Sequence, residues 1–133
     1  MGPPPLLDTT TLSDVLRGRE PTIRRFRGAL EVSPPCISVL TWYEIERGLR
    51  KLGADAQRRA FHRLVGELRV FPVDGAIAAH AADLWVELQR LGRPIGEVDT
   101  LIAATARFHG LPVVARDRDF AQVPGLSVTR WDV

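Results

Sequence analysis

Short apolar runs alternate along this chain with longer segments in which apolar residues recur every three or four positions. The short runs occupy residues 6–7, 36–39, 70–73, 112–115 and 126–128. Runs of this length and composition, bounded by prolines or charged residues, are typical of strands. The last of them is predicted to be an edge strand.

The longer segments predict amphipathic helices, the first of which is preceded by threonines that suit an N-cap. Their approximate extents are residues 12–16, 21–30, 41–51, 60–68, 77–88 and 97–109. In the fifth helix the predicted buried stripe comprises Ile77, Ala81, Leu84, Trp85 and Leu88. Strands that alternate with helices indicate an α/β fold in which helices flank both faces of a parallel sheet.

The composition indicates one globular domain, which we assign to residues 1–133. Hydrophobic residues make up 45% of the chain and charged residues 26%, a balance that excludes wholesale disorder. The single cysteine, Cys36, excludes an internal disulfide framework and a cysteine-based zinc cluster. The longest uncharged run, residues 32–43, is too short to span a bilayer, and the N-terminus lacks the positive charge of a signal peptide. We therefore expect a cytoplasmic protein that does not enter a membrane.

The formal net charge of +2 conceals an uneven distribution. Residues 1–16 carry two acids and no base, residues 17–69 carry twelve bases and six acids, and residues 70–133 carry six bases and eight acids. Lys51 is the sole lysine, so almost every basic side chain is a guanidinium, which suits bidentate binding of phosphate. The sequence thus predicts a basic middle between acidic ends.

Four acidic residues fall where the pattern places the carboxyl edge of the sheet. Asp8 follows the first strand and Asp117 the fourth, while Glu44 and Asp99 lie in the predicted first turns of two helices. Strand carboxyl ends and helix N-termini share one edge of such a sheet, so the four side chains are expected to converge. Converging carboxylates repel one another unless a cation neutralises them, and a set of oxygen ligands favours Mg²⁺ or Mn²⁺.

Each acid also has a purely structural interpretation. Asp8 is a good helix cap, and Asp117 suits a turn. Glu44 and Asp99 would complement the dipoles of their helices. The position that all four share at one edge favours a metal site for the set.

Four segments resemble those of PIN-domain ribonucleases in their order and spacing. They are residues 6–9 (LLDT), 37–44 (ISVLTWYE), 95–104 (IGEVDTLIAA) and 115–120 (ARDRDF), and the VPGL of residues 123–126 adds a likeness to the VapC toxins of bacterial toxin–antitoxin pairs. The segment around Asp99 is the most specific of these. The resemblance covers residues 5–133 and implies a three-layer PIN-like α/β fold with parallel strand order 3-2-1-4-5. It also implies a Mg²⁺-dependent endoribonuclease that acts on RNA, a homodimer, and inhibition by a cognate VapB-like antitoxin.

Carried over by position, the resemblance makes four residues the catalytic and metal-site acids: Asp8, Glu44, Asp99 and Asp117. We expect Asp8 and Asp99 to form the principal metal site, with the other two completing it and one carboxylate orienting the attacking water. The family often has Asn where this chain has Thr10, whose hydroxyl is able to hold a water or a neighbouring carboxylate. Asp119 is a candidate substitute for Asp117, but we expect it to order its loop.

RNA has to approach this acidic site, and the basic middle offers candidate contacts to its phosphates. They form three groups, which are Arg24, Arg25 and Arg27; Arg47, Arg50 and Lys51; and Arg58, Arg59 and Arg63. Binding through these groups would weaken steeply with salt. The alternative is that they form solvated helix faces.

Two other functions stay open at this point. A haloacid-dehalogenase-type phosphatase also has an Asp after an apolar strand, but its chemistry needs a second Asp where Thr10 stands. A non-catalytic PIN-like module that binds RNA or protein is the stronger alternative, because Thr10 is atypical of the nucleases.

Trp42, Tyr43 and Trp85 are interpreted as core or dimer contacts and not as base-stacking platforms. The sequence contains no P-loop, G-x-S-x-G, G-x-G-x-x-G or H-E-x-x-H motif.

Overall fold

A five-stranded parallel sheet forms the centre of the protein in a computed structural model, which describes residues 2–133. Its strands are β1 (Leu6–Leu7), β2 (Cys36–Ser38), β3 (Arg69–Phe71), β4 (Val113–Val114) and β5 (Val128–Thr129). They lie in the order β3-β2-β1-β4-β5, and each neighbouring pair is parallel. The α/β fold class, the edge position of the last strand and the strand order implied by the resemblance are confirmed.

Helices connect the strands and cover both faces of the sheet. They are α1 (Thr9–Leu16), α2 (Thr22–Val32), α3 (Val39–Leu52), α4 (Asp55–Val65), α5 (Gly75–Arg90), α6 (Glu97–His109) and the short α7 (Arg118–Ala121). None of these helices, within residues 2–133, has both the length and the hydropathy needed to cross a membrane. The six predicted helices are present, and α7 is one that the pattern did not predict.

Two helix starts differ from the predicted ones because of their N-caps. The cap of α1 is Asp8 and not one of the threonines, since its Oδ1 accepts the Thr11 N–H at 2.8 Å. Ser38 caps α3 by accepting the Leu40 N–H at 3.1 Å, so this helix already begins at Val39. The strand β2 is correspondingly one residue shorter than predicted.

Alternation along the strands divides the core between the two faces of the sheet. Leu6 and Val113 pack in one apolar cluster with residues of α5 and α6. Leu7 and Val114 pack in the other, with residues of α1, α2, α3 and α4. Leu6 and Leu7 are fully buried, and complete burial of such a side chain stabilises a fold by about 1.5–3 kcal/mol. The central strands are therefore fixed from both sides.

The helices α5 and α6 pack closely on the sheet and on each other. Three alanines of α6, Ala103, Ala104 and Ala106, are fully buried, which confirms the close approach that their size allows. The predicted stripe of α5 is buried at Ile77, Ala81, Leu84 and Leu88. Trp85 is the exception, since 45% of it is exposed and it belongs to the outer face.

A buried carboxylate joins α3 to α4. Glu46 is 3% exposed, and its two oxygens accept the Arg50 Nε–H at 2.6 Å, the Arg58 Nε–H at 3.2 Å and a bond from His62 Nε2 at 2.6 Å. The hydrogen bond from His62, followed by those from Arg50 and Arg58, lowers the pKa of Glu46 to about 2. The Trp42 ring stacks on the His62 ring, with 6.2 Å between the two ring centroids.

We expect Glu46→Gln to lower the thermal stability at pH 7, because a neutral amide cannot pair with the two guanidinium groups. The folded-state pKa of about 2 lies below the ordinary value of 4.5, so the ionised form stabilises the fold fully above 4.5 and loses this effect as the pH falls towards 2. The difference in Tm between wild type and variant, followed by circular dichroism, should narrow over that range. The exposed Glu31→Gln serves as the control, and a pH-independent difference would contradict this role of Glu46.

Candidate active site

The sheet and its flanking helices bring the four predicted acids to one edge. Asp8 directly follows β1, Asp117 lies between β4 and α7, and Asp99 lies in the first turn of α6. The carboxylates of Asp8, Glu44 and Asp117 all act electrostatically on the Asp99 carboxyl group. The four carboxylates are thus near enough for their charges to act on Asp99, and of the four only Asp99 and Asp117 belong to the tightest group of carboxylates that residues 2–133 form.

Asp8 combines a structural position with a place in the acidic edge. Its Oδ1 caps α1, as the structural interpretation predicts, and the residue is 4% exposed. Burial raises the pKa of Asp8, and the nearby Asp117 raises it further, while the bonds from Thr11 and the charge of Arg116 act in the opposite direction. The Asp8 carboxylate thus holds the start of α1 and at the same time lies at the acidic edge.

Glu44 lies deeper in its helix than the sequence predicted. Because α3 begins at Val39, Glu44 stands in the second turn, and the first turn contains no acidic residue. Its placement is therefore not explained by the helix dipole, and that interpretation of Glu44 is wrong. The Thr9 hydroxyl donates to Glu44 Oε1 at 2.6 Å and lies 3.3 Å from the Thr41 hydroxyl. The hydrogen bond from Thr9 fixes one oxygen of the Glu44 carboxylate.

The hydroxyl that supports the site comes from Thr9, whereas sequence reasoning considered Thr10. Thr9 begins α1 beside Asp8, on the side that packs against α3. For Thr10, residues 2–133 show no side-chain hydrogen bond. A pattern of three successive threonines gives no signal that distinguishes them, because only the start of α1 decides which hydroxyl faces Glu44.

The tightest group of carboxylates includes an acid that was expected to serve only its loop. Oxygens of Asp99, Asp117 and Asp119 all lie within 4.8 Å of one another. Asp117 Oδ1 also accepts the Asp119 N–H at 2.9 Å and so caps α7, as a turn residue would. Asp119 accepts a bond from Gln122 Nε2 at 3.4 Å and faces Asp99 as well. It therefore belongs to the site in addition to ordering the loop.

The electrostatics of Asp99 show how crowded this edge is. Burial, followed by the charges of Asp117, Asp8, Glu44 and Asp119, raises the pKa of Asp99 from 3.8 to about 6. Such repulsion is relieved when a cation binds, and the side chains of the cluster offer carboxylate oxygens as ligands. This donor set fits a hard divalent cation such as Mg²⁺ or Mn²⁺.

Several arginines of the predicted basic groups are used within the fold. Arg50 and Arg58 pair with Glu46, and the Arg25 guanidinium donates to the Val133 carbonyl oxygen at 2.6 Å. Arg47 lies over the Tyr43 ring at 5.0 Å from its centroid. These side chains are partly committed to internal contacts, whereas the remaining members of the three groups are exposed.

We expect Asp99→Asn to raise the Tm of the metal-free protein at pH 7 by a few degrees. The folded-state pKa of about 6 exceeds the ordinary 3.8, so the ionised side chain opposes folding progressively as the pH rises from 3.8 to 6 and fully above it. The gain should vanish near pH 4, and added Mg²⁺ should raise the Tm of the wild type more than that of the variant. Exposed Asp83→Asn is the control, and a lower Tm for Asp99→Asn in EDTA at pH 7 would contradict the repulsion.

Known proteins share this sequence pattern and this arrangement of elements. Residues 6–126 match the PIN domain family. A tRNA(fMet)-specific endonuclease VapC from Salmonella typhimurium is 32% identical over 128 residues, which cover 95% of this chain and 96% of the relative. The similarity thus extends over both proteins almost from end to end.

Solved structures share the fold to the same extent. A DNA-bound VapBC from Salmonella typhimurium matches with a TM-score of 0.87 at 32% identity, covering 96% of this chain and 98% of that one. VapBC2 from Rickettsia felis, bound to a DNA fragment from its promoter, matches with a TM-score of 0.88 at 19% identity over 96% and 98% of the two chains, which shows the fold alone. Taken with the matches in sequence, the chain belongs to the PIN domain family and, within it, to the VapC ribonucleases of VapBC toxin–antitoxin systems.

Proposed function

We propose that this protein is a Mg²⁺-dependent endoribonuclease toxin that hydrolyses phosphodiester bonds of RNA, with Mn²⁺ as a substitute ion. The observation that carries the proposal is the gathering of carboxylates from separate elements around Asp99, strongly enough to raise its pKa to about 6. Residues 1–133 act in this proposal as one PIN domain. Relatives that carry the name of endonuclease or ribonuclease support the reaction class.

The acids at the edge divide the work of holding the ion and orienting water. Asp99, Asp117 and Asp119 offer oxygens close enough together to bind one cation. Asp8, whose Oδ1 is engaged with Thr11, adds a buried carboxylate at the same edge. This assignment differs from the expected principal pair of Asp8 and Asp99, because the tightest group lies between α6 and α7.

Glu44 stands apart from that tight group and has a different task. Thr9 holds its Oε1, which leaves Oε2 to orient the attacking water against the scissile phosphate. A divalent cation, when bound, lowers the pKa of water and neutralises charge on the phosphate. The carboxylates supply the negative field that retains the ion, and they exclude RNA until it is bound.

Asp99→Asn should reduce Mg²⁺-dependent RNA cleavage by about 100-fold or more, because it removes the carboxylate at the centre of the cluster. Asp83→Asn removes an exposed carboxylate from α5 and should cleave like the wild type. Cleavage of a labelled RNA by purified protein, with Mg²⁺ and with EDTA, measures both. Full activity of Asp99→Asn, or cleavage that persists in EDTA, would overturn the assignment. Binding of RNA by the wild type without cleavage under any condition would instead support the non-catalytic module.

A VapB-like antitoxin is the proposed inhibitor, since the similar Salmonella chain is found in a VapBC assembly. A groove of about 210 Å³ runs from Thr9 and Glu44 towards Leu49 and Leu52, between α1 and α3. Leu52 is 79% exposed, so a partner gains apolar contact there while it covers Glu44. A homodimer is proposed as well, with the exposed Trp85 and Val86 of α5 as its apolar contribution.

Overproduction of the protein in bacterial cells should arrest growth, and co-production of the product of the neighbouring reading frame should restore it. The Asp99→Asn variant should leave growth unaffected and still co-purify with that product, because the groove along α3 is unchanged. Growth curves and affinity purification provide the two readouts. Arrest by the variant as strong as that by the wild type would separate toxicity from RNA hydrolysis.

A further inference from the structure

An arginine stands at the acidic edge and is not explained by the metal site. Arg116 lies between β4 and α7, next to Asp117, and its side chain is 41% exposed. The sequence places it in the acidic C-terminal part of the chain, outside the basic middle. Its position and its contacts argue for a role of its own in the reaction proposed above.

The Arg116 guanidinium contacts a buried carboxylate of α1. Its Nη2 lies 3.5 Å from Asp14 Oδ1, a contact between residues 102 positions apart in the sequence. The Asp14 side chain is only 5% exposed, and Arg19 Nη1 lies 3.8 Å from the same oxygen. A buried carboxylate without cationic partners would be costly, so both arginines are kept near it.

This arrangement is not electrically neutral. Two guanidinium groups share one carboxylate, which leaves a surplus positive charge among Asp14, Arg19 and Arg116. The contact of Arg116 with Asp14 involves a single nitrogen, so most of its five N–H donors are not used by it. The donors that remain are on a half-exposed side chain beside the acids of the site.

The field of Arg116 reaches the site. It lowers the pKa of the buried Asp8, and it also lowers that of Asp132 near the C-terminus. Within residues 2–133, Arg116 forms its ion pair with Asp14 and not with Asp8 or Asp132. Its effect on the pKa of those two acids therefore acts through space. Arg116 therefore lies close to the carboxylates of the site without forming an ion pair with Asp8.

We propose that Arg116 binds a backbone phosphate of the RNA next to the scissile one, and that Asp14 is the positioning residue that holds its guanidinium at the edge. The proposal rests on the proposed RNA hydrolysis. A planar guanidinium fixed on one side presents its other N–H groups as a fork that matches two phosphate oxygens. It would orient the strand across the carboxylates, which by themselves repel it.

Four variants of the full chain test this. Arg116→Gln removes the charge, Arg116→Lys keeps the charge but not the fork, and Asp14→Asn removes the carboxylate that holds the guanidinium. Arg69→Gln is the matched control, because Arg69 is an exposed arginine at the amino end of β3, on the opposite edge of the sheet. Thermal unfolding shows first that each variant is folded.

Binding of a labelled single-stranded RNA is measured at several salt concentrations on the Asp99→Asn background, so that no substrate is cut. Arg116→Gln should weaken binding on the order of tenfold and make the slope of log K against log salt shallower by about 0.7, as for the loss of one phosphate contact on a single strand. Arg116→Lys and Asp14→Asn should bind more weakly with an unchanged slope. Arg69→Gln should have the same RNA affinity and the same salt slope as the Asp99→Asn protein without it.

Steady-state cleavage with Mg²⁺ separates this inference from the proposed function. On the wild-type background Arg116→Gln should raise KM with a smaller effect on kcat. If the wild type cleaves RNA and Arg116→Gln leaves KM, affinity and salt slope unchanged, Arg116 has no phosphate contact and the inference is wrong. If the wild type fails to cleave but Arg116→Gln still shows the shallower slope, the nuclease proposal fails and the phosphate contact stands. Should Arg116→Gln not fold, Arg116→Lys decides by its KM, which the inference requires to rise.

Discussion

Electrostatic repulsion among carboxylates at one edge of the sheet is the constraint on which the rest of the structure depends. Because β1 and β4 are adjacent and parallel, the chain that leaves each of them delivers an acid, Asp8 and Asp117, to the same edge. The start of α6 adds Asp99 there. Its pKa is raised to about 6 because burial and the neighbouring carboxylates disfavour its ionised form. A fold that maintains such a cluster needs stability from elsewhere, and the apolar clusters on both faces of the short strands supply it.

The contrast between Glu46 and Asp99 shows that the surroundings of a carboxylate, and not its burial alone, determine its behaviour. Glu46 is the more deeply buried of the two residues, yet hydrogen bonds from His62, Arg50 and Arg58 bring its pKa down to about 2. Asp99 has other carboxylates where Glu46 has cations, and its pKa rises. The first arrangement joins two helices and is complete within the chain. In the described part of the chain, the carboxylates around Asp99 have no such cationic partners. This is the property expected of a site that takes a cation and a substrate from solution.

The sequence was sufficient for the fold and for placing Asp8, Asp99 and Asp117 at one edge of the sheet, but not for the detailed arrangement of the acids. The alternation of strands with helices predicted a sheet that is covered on both faces, and adjacent strand residues such as Leu6 and Leu7 pack on opposite faces of it. The position of Glu44 depended on a cap, because Ser38 starts α3 earlier than the apolar periodicity suggests. The part played by Asp119 depended on how the loop before α7 folds, which short-range patterns do not specify. Trp85 sits at the border of the stripe on α5, where one residue of rotation separates the core from solvent.

Segment charges were the least informative part of the sequence, and the structure explains why. The basic middle owes part of its excess to Arg50 and Arg58, which the fold uses against Glu46, whereas Arg116 stands in a segment whose net charge is negative. An arginine can bind phosphate only with the N–H donors that the folded protein does not already use. How many remain depends on partners such as Asp14, which are distant in sequence. A nuclease of this design has to attract a polyanion to a cluster of acids. A guanidinium that contacts a buried carboxylate on one side can attract a phosphate directly beside the acids. The average charge of the surface does not act at such a defined position.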